Sequence, residues 1–136
     1  MIHRSSSWGA AVATLVLLPA MTACSSGQSG DGPVAPPHDV EIVFDARQQG
    51  PNAFSPTNAV VSLASQNTVT WYNADFAGYG GQAGTAHHLI SDDGTTFDSG
   101  VIAPNGVFQA TIAAPGTYAY HCEFHSGMTG TVTVNP

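Results

Sequence analysis

Tyr118-Ala119-Tyr120-His121-Cys122-Glu123-Phe124-His125-Ser126-Gly127-Met128-Thr129-Gly130 is the run on which the reading of this chain turns. A β-rich segment over residues 117–121 leads into it, and Thr131-Val132-Thr133-Val134 leaves it with both valines on one face. Two strands are thus joined by a tight connection. Further out the pattern repeats. Ala114-Pro115-Gly116 is a turn, and residues 107–112 alternate with Phe108, Ala110 and Ile112 together. Residues 87–91 end at an Asp92-Asp93-Gly94 turn. Residues 68–72 place Val69 and Trp71 on one face, and residues 59–63 and 40–44 complete the set. The Gly-rich residues 77–84 read as a surface loop. No segment carries a useful helical period. Many short strands punctuated by Gly and Pro predict an all-β, Greek-key β-sandwich without substantial helix, over residues 38–136.

The connection between the last two strands is rich in metal donors. Cys122, His125 and Met128 follow the spacing C-x2-H-x2-M. A turn points its side chains inward, so three such donors can converge on one ion, and Gly127 supplies the freedom to turn. Thiolate and thioether are soft, and imidazole suits copper in both oxidation states. Two His, one Cys and a weak axial Met describe a blue-copper site. The second His must come from elsewhere, and His87 and His88 are the candidates; neighbouring strand side chains face opposite ways, so one of them points at the metal. By the same rule His121 faces away from Cys122. Glu123 and His38 read as solvated, and Tyr120 as a tyrosine corner.

Val69-Thr70-Trp71-Tyr72-Asn73, Thr85-Ala86-His87 and the stretch from Pro115 to Val134 together resemble the plastocyanin, amicyanin and pseudoazurin branch of the cupredoxins. The resemblance covers the whole domain. It implies a cupredoxin sandwich, one type 1 copper ion and one-electron transfer, with His87, Cys122, His125 and axial Met128 as ligands. His87 holds the place of the family's first ligand. Two departures stand out. A small polar residue often follows that ligand and ties the two ligand segments together; here the residue is His88. Pro often precedes the second His; here it is Phe124, whose backbone N–H is expected to donate to the Cys122 thiolate.

The 136-residue chain carries a formal charge of −7. It has no lysine, and Arg47 is the one arginine beyond the N-terminal segment, against Asp31, Asp39, Glu41, Asp45, Asp75, Asp92, Asp93, Asp98 and Glu123. Nucleic acid, which needs clustered positive charge, is excluded as a partner. An acidic surface suits docking on a basic patch of a redox partner protein. Residues 1–23 read as a signal peptide: the apolar run at 10–18 is too short to span a bilayer, and Met21-Thr22-Ala23-Cys24 resembles a lipoprotein cleavage box. Lipidation of Cys24 predicts a membrane-attached protein outside the cytoplasm, with residues 24–37 as a flexible tether. It leaves Cys122 without a disulfide partner. The expected function is electron carriage by a monomer. The alternative is copper binding or delivery without a redox role. An enzyme is not expected, because copper enzymes need further His-rich sites.

Overall fold

The structure is a computed structural model, and it describes residues 34–76 and 83–136. The proposed signal peptide, Cys24 and most of the tether lie outside these residues. Of the tether, residues 34–37 are described and are exposed.

Among the described residues nine strands form two sheets. They are β1 (Val40–Ile42), β2 (Phe54–Ser55), β3 (Asn58–Ser62), β4 (Thr68–Asn73), β5 (His87–Ser91), β6 (Asp98–Ile102), β7 (Val107–Thr111), β8 (Gly116–Cys122) and β9 (Thr129–Asn135). One sheet runs β2-β1-β4-β7 and the other β3-β9-β8-β5-β6. Pairings β1–β4 and β3–β9 are parallel; the rest are antiparallel. Consecutive strands repeatedly change sheet, as Greek-key sandwiches require. The expected β-sandwich is therefore the fold.

The period-2 pattern explains the core. Val69 and Trp71 of β4, Ala110 of β7, and Val132 and Val134 of β9 are all buried. An aromatic cluster bridges the sheets: Trp71 packs at 5.1 Å from Phe97, 5.3 Å from Phe108 and edge-on at 5.7 Å from Tyr120, and Phe54 lies 4.9 Å from Tyr120. Burying one such large ring contributes roughly 4–6 kcal/mol before entropic costs.

Three features differ from the sequence reading. The first strand stops at Ile42, because Asp45 adopts a left-handed conformation (φ 53°) that turns the chain into a one-turn helix, α1 (Ala46–Gln49). Four residues are too few to show a helical period. The corner tyrosine is Tyr118, not Tyr120: the Tyr118 hydroxyl donates to the Ala114 carbonyl at 3.0 Å, while Tyr120 is one step deeper and wholly buried. The Tyr120 hydroxyl and Trp71 Nε1 are both buried, and among the described residues neither makes a hydrogen bond of good geometry. Finally, β6 is an edge strand whose residues are mostly exposed, so it carries no alternation to read.

Candidate metal centre

The centre sits where β5 begins and β8 ends. Leu89 of β5 pairs with Cys122 of β8, and β5 buries His87, Leu89 and Ser91 while turning His88 and Ile90 outward. This alternation separates the two neighbouring histidines. His87 joins the donor cluster, and His88 does not.

The loop 123–128 delivers the other donors. The Cys122 N–H donates to the Met128 carbonyl at 3.0 Å, which closes the loop at its base. Longer contacts of 3.4 Å run from His125 N to Cys122 O and from Met128 N to His125 O. Gly127 sits at φ +85°, in the left-handed region that a side chain would resist. The sequence-predicted turn is the one that forms.

Cys122 Sγ lies 3.7 Å from His87 Nδ1 and 3.5 Å from His125 Nδ1, and the donor atoms of all three residues fall within 4.8 Å of one another. The two imidazoles meet edge-on at 4.9 Å. His87 and Met128 are fully buried, Cys122 is nearly so, and His125 is half-buried. Two imidazole nitrogens aimed at one buried thiol, beside a buried methionine and with no carboxylate in the group, fit a soft ion better than a hard one.

The remaining sequence candidates have other partners. His121 turns outward, with Nδ1 2.6 Å from Asp92. His88 bridges two carboxylates: Nε2 is 2.6 Å from Asp98 and Nδ1 is 2.7 Å from Glu123. The Glu123 N–H also donates to the His88 carbonyl at 2.8 Å. The tie between ligand segments, which His88 put in question, is thus made by His88 itself. Glu123 is exposed and serves that tie. His38 is only partly solvated, since its ring lies 5.3 Å from Tyr72 and Nδ1 is 2.7 Å from the Pro36 carbonyl. The expected Phe124 N–H contact to sulfur is not made. Among the described residues the hydrogen-bonding neighbours of Cys122 Sγ are the two imidazoles.

Sequence reasoning missed Asp75, which it counted only as part of the acidic surface. Asp75 is 2% exposed, and its Oδ2 lies 3.2 Å from His87 Nε2. No spacing rule signals this, because the contact depends on how the chain turns after β4.

Burial holds the His87 imidazole below its ordinary value of 6.5, against the opposing pull of the Asp75 hydrogen bond. The sign of the consequence follows. In the metal-free protein the unfolded chain takes up the His87 proton first as pH falls through about 6.5. Stability from His87 is therefore lost progressively as pH falls below that point, and the loss levels off, without being regained, once the lowered folded value is passed. The unfolding free energy of the metal-free protein, measured by urea denaturation, is expected to fall between pH 7.5 and 5, by up to about 1.4 kcal/mol per pH unit from this group. A His87→Asn variant is expected to show a flatter profile over that range, and an equally steep one contradicts the assignment.

The fold and donor set define a candidate soft-metal centre where β5 begins and β8 ends in a Greek-key sandwich. A sequence profile described as copper binding proteins, plastocyanin/azurin family, matches residues 40–135. The chain belongs to that family. It is 33% identical over 87 residues to chloroplastic plastocyanin of Hordeum vulgare, an alignment covering 54% of this chain and 50% of that protein. Against chloroplastic plastocyanin of Oryza sativa subsp. indica it is 34% identical over 95 residues, covering 60% and 54%. The chain thus spans about half the length of the curated relatives it matches. A purple cupredoxin from Nitrosopumilus maritimus superposes with a TM-score of 0.58 at 25% identity, covering 73% of this chain and all of that one. A copper-containing nitrite reductase from Thermus scotoductus SA-01 shares the fold at TM-score 0.55 and 24% identity; this chain covers 23% of it. One copper ion is the cofactor that the family and the donor set have in common.

Proposed function

We propose that the protein is a one-electron carrier whose single type 1 copper would be held by Cys122 Sγ, the Nδ1 atoms of His87 and His125, and Met128. The observation that carries this is the buried Cys122 sulfur set between two imidazole nitrogens. Copper in such a donor set takes up and returns one electron. The protein's part is to hold the ligands still: His87 and Cys122 belong to paired strands, and the loop is closed at its base by the Cys122–Met128 hydrogen bond. Half-buried His125 gives the centre its edge toward solvent, next to exposed Phe124.

Delivery of copper without redox change is the weaker reading, because it favours exposed methionine, and Met128 is fully buried. Among the described residues one His/Cys cluster of metal-binding geometry is found, and electron carriage needs one such centre. Acidic Asp92, Asp98 and Glu123, each paired to a surface imidazole, support docking by a basic partner protein. Placement outside the cytoplasm on a lipid at Cys24 is part of the same proposal and is supported by the 10–24 segment alone. Protein-film voltammetry of the copper-loaded protein tests the function. Fast, reversible one-electron waves are expected. Sluggish waves, or release of the ion on reduction, would favour delivery.

A further inference from the structure

The buried acid of this domain is the one that touches the centre. Asp75 follows β4, and its carboxylate makes three contacts. Oδ1 accepts from the Asp45 N–H at 3.1 Å, and Oδ2 from the Ala46 N–H at 3.3 Å. The third is His87 Nε2, 3.2 Å from Oδ2. The main chain of Asp75 is also engaged: its N–H donates to Asn73 Oδ1 at 3.0 Å, and its carbonyl accepts from Thr85 N–H at 2.8 Å. Asn73 in turn donates through Nδ2 to the carbonyls of Thr85 and Ile102, at 2.9 and 3.0 Å. The acid is therefore fixed to β4, to α1 and to the segment that enters β5. Among the described residues Arg47 forms its ion pair with Asp45, at 3.5 Å, and not with Asp75.

The two backbone partners of this carboxylate can only donate, and both its oxygens are already accepting. An acceptor-only group is what this position demands. His87 Nε2 must then carry the ring proton, which leaves the lone pair on Nδ1, the nitrogen that faces Cys122 Sγ at 3.7 Å.

We propose that Asp75 is a positioning residue for the copper centre: it locks the His87 ring and tautomer so that Nδ1 faces the metal, and its buried negative charge holds the reduction potential down. This rests on the copper reading given above. The charge acts through His87, making the imidazole a stronger donor, and it favours the more highly charged cupric state over the cuprous one. No backbone carbonyl does this as strongly, because a carbonyl carries no net charge.

Two measurements decide the matter. In the Asp75→Asn protein the carboxamide keeps the shape and removes the charge, and its NH₂ must face a donor whichever way it is turned. The expected result is a protein that still turns blue with cupric ion, with the Cu(I)/Cu(II) balance shifted at least tenfold toward Cu(I). For a one-electron couple that is about 59 mV upward. A purely structural role would lower stability and leave the potential in place, and an unshifted or lowered potential overturns the proposal. The second measurement uses the unaltered, metal-free protein: long-range ¹H–¹⁵N correlation of the His87 ring is expected to place the proton on Nε2. A proton on Nδ1 overturns the tautomer assignment, and this result stands even if the Asn variant does not fold. Failure of the copper reading itself shows differently, as an unaltered protein that stays colourless with cupric ion.

Discussion

Replacing Cys122 by serine is expected to abolish the intense visible absorption of the copper-loaded protein and to weaken copper binding on the order of 100-fold or more, beyond what is lost when outer partners of a site are removed. The reason is electronic before it is geometric. The absorption arises from charge transfer between a soft thiolate and the cupric ion, and a hydroxyl supplies neither the softness nor, near neutral pH, the anion. Cys122 is the free cysteine of the described domain and is nearly fully buried, so no second thiol stands in for it. His87, His125 and Met128 remain, and any copper still held is expected to show the wide hyperfine splitting of an ordinary cupric site. Visible and EPR spectra of the two proteins, titrated side by side, provide the check. A serine variant that stayed blue would remove the sulfur from the centre. The scaffold is expected to survive the change, at a cost of about 1–3 kcal/mol for placing a hydroxyl where sulfur was buried.

The second large effect concerns stability. Gly130 of β9 lies directly opposite Tyr120 of β8. A Cβ at position 130 would come within 2.5 Å of both the Tyr120 Cζ and its hydroxyl oxygen, and 2.9 Å from Cε1. The ring cannot retreat, because Phe54, Trp71 and Phe97 close around it. Alanine ordinarily gains over glycine in a strand; here Gly130→Ala is expected to cost about 3 kcal/mol or more, as overpacked cores do. Urea denaturation of the metal-free protein measures it. A double-mutant cycle isolates the cause: in a Tyr120→Val background the added methyl is expected to cost far less. Equal losses in both backgrounds would place the strain elsewhere.

These two positions also show what was legible in the sequence. β5 and β9 alternate along their whole length, and β4 and β8 over part of theirs, because one face is buried, so these strands stood out, and the choice of His87 over His88 followed from that alternation and the family resemblance. The C-x2-H-x2-M loop was readable because its donors lie close in sequence. Features that depend on meetings in space were not. Asp75 reaches His87 across 12 positions and a change of direction. The split of roles between Tyr118 and Tyr120 depends on depth in the sandwich, which sequence spacing does not encode. Two-residue β2, four-residue α1 and exposed β6 are too short or too uniformly solvated to impose a period. The Phe124 amide was expected at the sulfur from the lack of a proline alone; a freed N–H does not say where it points.

The parallel pairing of β3 with β9 joins Asn58 to Thr131, 73 positions apart, and places β9 between β3 and β8. Every proposed ligand lies inside the loop that this pairing closes. Domains dominated by such distant contacts fold over roughly milliseconds to seconds, because closure entropy comes before any reward. During that interval a cupric ion meets Cys122 and His125, three positions apart, long before His87, which is 35 positions from the cysteine. Refolding with the ion already present is thus expected to pass through a chelated, slow-maturing species, seen in stopped-flow absorbance as colour that lags the recovery of structure. Simultaneous recovery would show that the loop does not capture the ion early.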